Sequence, residues 1–260
     1  MITRETAGLR YFQFESLLST KLTQAVFSRL GGVSPSPWKS LNLGGTVGDD
    51  PARVSENKKK LLAALGYSSN QLSQIRQVHS AHVNVVNKPV SRNSILMQGD
   101  AMITNTPGLL MLMRFADCVP ILLFDPENNA AGIVHAGWKG TVKEVATEAV
   151  KEMTIQFGTN PSDLLACIGP SIGPDHYEIG EEVIEEVKSS FENNWDRVLV
   201  TGLDSVKLDL WKANEISLRK SGVKHIEVAE ICTACDIEDW YSHRAENGKT
   251  GRFAAVIGLK

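Results

Sequence analysis

Apolar and polar positions along this chain follow two periods, and each period marks a kind of element. Val54, Leu61, Leu62 and Leu65 recur at helical spacing after Asp49-Asp50-Pro51 and before Gly66. A proline in the first turn and a glycine just past the end are marks of a bounded helix. Over 141–157, Val142, Val145, Ala146, Ala149, Met153 and Phe157 line one face, and Gly158 closes the pattern. A third helix is predicted over 181–191, and a fourth from about Asp209 to just before Gly222, where Trp211, Glu215 and Leu218 share a face. Short apolar runs predict strands at 24–28, 77–86, 109–114, 119–125, 131–135, 164–168, 226–231 and 252–259. Strands outnumber helices and are mixed with them throughout, which places the chain in the α+β class. The short echo IGPSIGP at 168–174 reads as a structured loop, and no long linker or low-complexity tract divides the chain. Residues 1–260 are therefore read as a single domain.

Composition narrows the function classes. The 27 basic and 30 acidic side chains are interspersed and leave a net charge of −3, so the basic footprint that nucleic acid selects is missing. The opening MITRETAGLRYFQFES has no apolar leader, and the most apolar window, GLLMLMRFADCVPILLF, is interrupted by Arg114 and Asp117. The expectation is a soluble cytoplasmic protein without a membrane partner. Four cysteines, at 118, 167, 232 and 235, are too few and too irregularly spaced for a disulfide framework.

The densest chemistry lies in ADCVPILLFDPENNAAGIVHAGWKG, residues 116–140. Two apolar runs flank Pro126-Glu127-Asn128-Asn129, which has the composition of a tight turn, and together they predict an antiparallel hairpin. If Asp125 pairs with Ala130, Cys118 falls opposite Gly137 and His135 lies two positions away on the same face, roughly 7–8 Å off. A loop shorter by one residue would send the two side chains to opposite faces. Cysteine and histidine suit zinc or copper, but a site needs a third ligand. His79, His82, His176, His225 and His243 are all candidates, with His79 modestly favoured because polar Gln77 and Ser80 flank it on a predicted strand. Asp117 either ties down the turn before the strand or supports a ligand.

Three further stretches bear on binding. HAGWKGTVKEV passes from strand through two glycines into a helix start, so backbone N–H groups and Lys139 can face an anion. SRLGGVSPSPWKSLNLGG, residues 28–45, is a glycine- and proline-rich loop whose Arg29 and Asn42 suit a polar ligand. CTAC at 232–235 has knuckle spacing without a second pair, and is read as structural rather than as a zinc site.

FSRLGGVSPSPWKSLNLG, VGDDPARVSENKKKLL, QVHSAHV, GDAMIT, ADCVPILLFDP, VHAGWKGT, CIGPSIGP, YEIGEEV, CTAC and YSHR…GKTGR follow one another from Phe27 to Leu259. In that order they resemble the YfiH family, whose members are also described as laccase-domain or polyphenol oxidase proteins, as purine nucleoside phosphorylases and, in one branch, as peptidoglycan editing factors. The resemblance implies mixed β-sheets packed between helical layers, similar to the catalytic domain of the cytotoxic necrotizing factors. It implies a metal site, usually zinc, made by His79, Cys118 and His135, which would also be the catalytic residues. Three protein ligands leave a fourth position open, the pattern of catalytic zinc. The implied activity is phosphorolysis of adenosine, inosine, guanosine and methylthioadenosine together with deamination of adenosine, so purine nucleosides and phosphate are the expected partners. Lys139 stands where an arginine is usual, which keeps the charge but loses the bidentate fork. Arg244 carries over as a pocket residue and joins Arg29, Asn42 and Lys139 as the expected substrate-binding set. The stretch Asp175-His176-Tyr177-Glu178 carries cysteines in some relatives and lacks them here. A peptidoglycan-precursor editing amidase would need the same ligands. A polyphenol oxidase would need copper instead of zinc, and several coppers are hard to bind with six histidines.

Overall fold

A computed structural model of the chain describes residues 1–89, 96–202 and 205–260. Two six-stranded sheets form its centre. The first runs in the order Ile2–Thr6, Leu9–Gln13, Leu22–Phe27, Phe253–Leu259, Leu110–Phe115, Leu72–Ser73. The second runs His225–Val228, Leu165–Ile168, Val119–Asp125, Ala130–Ala136, Ala101–Thr104, Val83–Val85. Glu178–Ile179, Val206–Leu208 and Leu199–Thr201 make a small third sheet.

Strand alternation builds the layers. Along Val119–Asp125, Ile121 and Leu123 pack with Val145, Ala149, Met153 and Leu218 of the helices Val145–Phe157 and Leu210–Lys220. Leu122 and Phe124 point the other way and meet Met111, Met113, Phe253 and Ile257 of the first sheet. The outer face of that sheet is covered by the helix Pro51–Ala64, whose Leu61 and Leu62 pack with Leu110, Leu112, Ala254 and Val256. Burying each such side chain contributes about 1.5–3 kcal/mol. The result is the expected mixed-sheet fold between helical layers.

Several elements depart from the sequence pattern, among them the strands Ala101–Thr104 and Val206–Leu208, and three departures have a plain physical reason. The helix predicted over 141–157 is two helices, Trp138–Val142 and Val145–Phe157, separated at Glu144, which takes a left-handed φ of 57°. One left-handed residue redirects the chain while Val142 and Val145 both stay against the core, so the apolar spacing does not register the break. Of the strand predicted over 77–86 only Val83–Val85 forms. Its first half is drawn into a loop around a buried carboxylate described below. At the start of the chain, Ile2–Thr6 pairs with Leu9–Gln13 although ITRET has little apolar character. It is an edge strand, where exposed polar side chains are ordinary.

Candidate metal centre

The hairpin forms with Asp125 opposite Ala130 and Pro120 opposite His135. Cys118 and His135 therefore leave the sheet on one side. Loop length is fixed locally: Asp125 Oδ1 accepts the Glu127 and Asn128 amides at 3.0 Å, Oδ2 accepts Asn128 Nδ2 at 2.9 Å, and Asn129 takes the left-handed turn at φ 48°.

His79 reaches the same place from a loop, not from a strand. Fully buried Asp100 organises it: Oδ2 accepts the Val78 amide at 3.2 Å, the Ser80 amide at 2.6 Å and the Ser80 hydroxyl at 2.9 Å. Between those two amides His79 is held at φ 58°. The other oxygen, Oδ1, lies 2.9 Å from His135 Nδ1. One carboxylate thus orients two imidazoles, and the His79 and His135 rings meet edge to face with centroids 5.0 Å apart. Donor atoms of His79, Cys118 and His135 all lie within 4.8 Å of one another. Gly137 completes the cradle, because a Cβ there would sit 2.9 Å from Cys118 Sγ and 3.2 Å from His79 Cδ2.

Electrostatics favour the ligand form of the thiol. Burial would push the Cys118 thiol up, but His135 and then His79 outweigh it and hold it down at about 6. Burial would likewise lower His135, and the charge of Cys118 with the hydrogen bond to Asp100 raises it instead. Without a cation the pair is a thiolate facing an imidazolium. A thiolate beside two imidazoles is a donor set for a borderline-soft divalent ion, so the residues present fit a metal such as zinc.

Asp117 ties loops together. At φ 79° and nearly buried, it accepts the Thr233 hydroxyl at 2.8 Å through Oδ1 and the Arg244 amide at 2.6 Å through Oδ2, while its carbonyl accepts the Ile172 amide at 3.0 Å. These loops wall a cavity of about 420 Å³ beside the cluster, lined by His79, Cys118, Trp138, Lys139, Tyr177 and Arg244 among others. Arg244 spends Nη1 on the Glu178 carbonyl at 2.9 Å and lies 5.1 Å from the Tyr177 ring centroid. Lys139 is exposed at the cavity.

Arg29 and Asn42 are placed elsewhere. Arg29 is buried on Tyr241 and donates to the carbonyls of Lys39, Ile237 and Trp240 and to Glu246. Asn42 is fully buried, accepting the Gly44 and Arg252 amides and donating to Asp49. Neither lines the cavity. Both fasten the glycine- and proline-rich loop to the body of the protein. His82 and His225 stay apart as exposed residues, His243 lines the cavity, and His176 belongs to a different cluster. Sequence reasoning assigned no role to Asp100, Trp138 or Tyr177. The signal for Asp100 was an acid placed directly before a buried strand in GDAMIT, where an uncompensated charge would be costly.

A family model described as multi-copper polyphenol oxidoreductase laccase matches residues 23–260. A purine nucleoside phosphorylase of Deinococcus radiodurans is 38% identical over 90% of this chain and 88% of its own. The purine nucleoside phosphorylase YlmD of Bacillus subtilis is 35% identical over 88% of this chain and 86% of its own. Among solved structures, the hypothetical protein YfiH of Bacillus licheniformis superposes with a TM-score of 0.91 at 32% identity, covering 99% of both chains. YlmD of Geobacillus stearothermophilus superposes with a TM-score of 0.92 at 31% identity, covering 99% of this chain and 98% of that one. No helix among the described residues is long and apolar enough to cross a membrane.

Proposed function

The chain belongs to the family described as multi-copper polyphenol oxidoreductase laccase, and from that premise we propose that it is a zinc-dependent purine nucleoside phosphorylase that also deaminates adenosine. The observation that carries this reading is one cavity lined by His79 and Cys118 of the ligand cluster, two aromatic side chains and two cations. Trp138 and Tyr177 offer flat apolar surface to a purine. Burial keeps the Tyr177 phenol protonated. Lys139 and Arg244 supply positive charge for phosphate, and Arg244 keeps guanidinium donors free beyond its bond to Glu178. Arg29 and Asn42 contribute by holding the adjoining loop rather than by touching substrate.

Zinc bound by His79, Cys118 and His135 would supply Lewis-acid polarisation of substrate or water. Asp100 keeps His135 in the tautomer that presents Nε2, and fixes the loop bearing His79. Phosphorolysis breaks the bond between sugar and base, whereas deamination attacks the purine ring, so the two reactions need two poses in the cavity. Four free cysteines suit a reducing, cytoplasmic setting. Copper is the weaker alternative, since a polyphenol oxidase needs several redox centres and this chain has six histidines.

The test is to incubate the zinc-loaded protein with adenosine, with and without phosphate, and to identify the products. Adenine and ribose-1-phosphate are expected only with phosphate, and inosine with ammonia under both conditions. Adenosine left intact in both, with release of an amino acid from a muramyl precursor, would replace this reading with the editing amidase. Oxygen uptake with a phenol after copper loading would replace it with the oxidase.

A further inference from the structure

A second group of soft ligands stands behind the cavity wall. His176, Cys232 and Cys235 bring their donor atoms within 4.8 Å of one another, although 56 residues separate the histidine from the first cysteine. His176 Nδ1 lies 3.5 Å from Cys235 Sγ and 3.7 Å from Cys232 Sγ. A tetrahedral zinc with bonds of about 2.3 Å to sulfur and about 2.0 Å to nitrogen sets nitrogen and sulfur roughly 3.5 Å apart. Nδ1 has one lone pair or one hydrogen, so separate full hydrogen bonds to both sulfurs are not open to it. A shared cation satisfies all three atoms at this spacing.

Local structure holds the cluster in place. Within the C-x-x-C turn, the Cys235 and Asp236 amides both donate to the Cys232 carbonyl, at 3.2 and 3.3 Å. Ser171 pairs with Cys232 in a parallel bridge, and the Thr233 amide donates to the Ser171 carbonyl at 3.0 Å. Cys232 Sγ already accepts the Gly173 amide at 3.2 Å, which fixes where the sulfur sits. Gly173 permits that approach, since a Cβ there would lie 3.1 Å from Cys232 Cβ and 3.0 Å from the Trp211 ring. Asp175 and Asp236 add negative charge beside Cys235. His176 and Cys235 are exposed, so an ion has access.

We propose that His176, Cys232 and Cys235 bind a second zinc ion, which staples the loop 171–177 to the turn 232–235. Ile172 and Tyr177 of that loop line the cavity, so the ion fixes one wall of it without touching substrate. The proposal is independent of the reaction performed there.

The test is metal counting on protein purified under reducing conditions and equilibrated with zinc. Wild type should hold two equivalents, and Cys118→Ala one. Cys118→Ala combined with Cys235→Ser should hold none. His79→Ala, at an exposed position, replaces Cys118→Ala should the latter fold poorly. Cobalt added to Cys118→Ala should give a thiolate-to-cobalt charge-transfer band that Cys235→Ser removes. A folded Cys118→Ala or His79→Ala protein that binds no zinc would overturn the proposal, as would a Cys232–Cys235 disulfide found by thiol counting in the reduced preparation.

Discussion

Asp100 Oδ1 lies 2.9 Å from His135 Nδ1 in a pair that is almost entirely buried. Burial would raise the Asp100 carboxyl, but the bonds from His135 and Ser80 hold it down at about 2, so it is a carboxylate at any working pH. Its second oxygen gathers the loop that carries His79. Asp100→Asn should therefore weaken zinc binding at this site by about 10–100-fold. Competition against a chromophoric chelator in a Cys235→Ser background measures it, and unchanged affinity would mean the carboxylate does not orient the ligands.

Gly137 has φ −73°, which any residue can adopt, so Gly137→Ala carries no backbone strain of its own. Its Cβ would press on Cys118 Sγ at 2.9 Å. Zinc affinity at His79, Cys118 and His135 should fall while the circular dichroism spectrum stays that of wild type. Full affinity would show that the cluster can relax by several tenths of an ångström.

Half-buried Cys118 and buried Cys167 should differ sharply in reactivity. Cys118 is held near 6 against its burial, whereas burial pushes Cys167 up to about 12. In metal-free protein at pH 7.5, iodoacetamide should label Cys118 and leave Cys167 unmodified, as read by peptide mass spectrometry. Labelling of Cys118 should fall as pH drops through about 6 and the thiolate is protonated, and zinc should protect it. Preferential labelling of Cys167 would contradict the electrostatics.

Lys139 faces the cavity from an exposed position, so solvent screens its charge. A charged contact of this kind contributes about 1 kcal/mol, roughly a fivefold effect. Lys139→Ala should raise the KM for phosphate by about that factor and leave inosine formation without phosphate nearly unchanged. Equal damage to both reactions would place Lys139 in the shared nucleoside pocket or in the fold.

Asp125 caps the hairpin turn through three hydrogen bonds. Burial would raise its carboxyl, but the Thr159 hydroxyl and then the bonds from Asn128 and the Glu127 amide hold it below the usual range. A lowered folded-state value means its stabilisation is complete above the unfolded-state value of about 3.9 and is lost as pH falls through the lower one. Asp125→Ala should lose about 1–3 kcal/mol at pH 7 by urea unfolding. The gap to wild type should hold down to about pH 5 and close below about pH 4. A gap that widens in acid would refute the turn-capping role.

Local chemistry made the hairpin legible from the sequence. Four turn residues and an aspartate at the strand end fix the register, and side-chain alternation then puts Cys118 and His135 on one face whatever the rest of the fold does. Helix ends at Pro51 and Gly158 were readable for the same reason, since their backbone preferences act within a few residues. The partners of polar side chains were decided only in three dimensions. His79 enters the cluster because Asp100, just before the strand Ala101–Thr104, pulls its loop off the sheet. Arg29 and Asn42 look like ligand-binding residues in a loop, yet their donors and acceptors are consumed by Glu246, Asp49 and backbone groups up to 211 positions away. Likewise CTAC lacks a second pair along the chain and gains His176 across space. Periodicity records which side of an element meets water, whereas a polar side chain's role depends on which distant groups tertiary packing brings within about 3 Å.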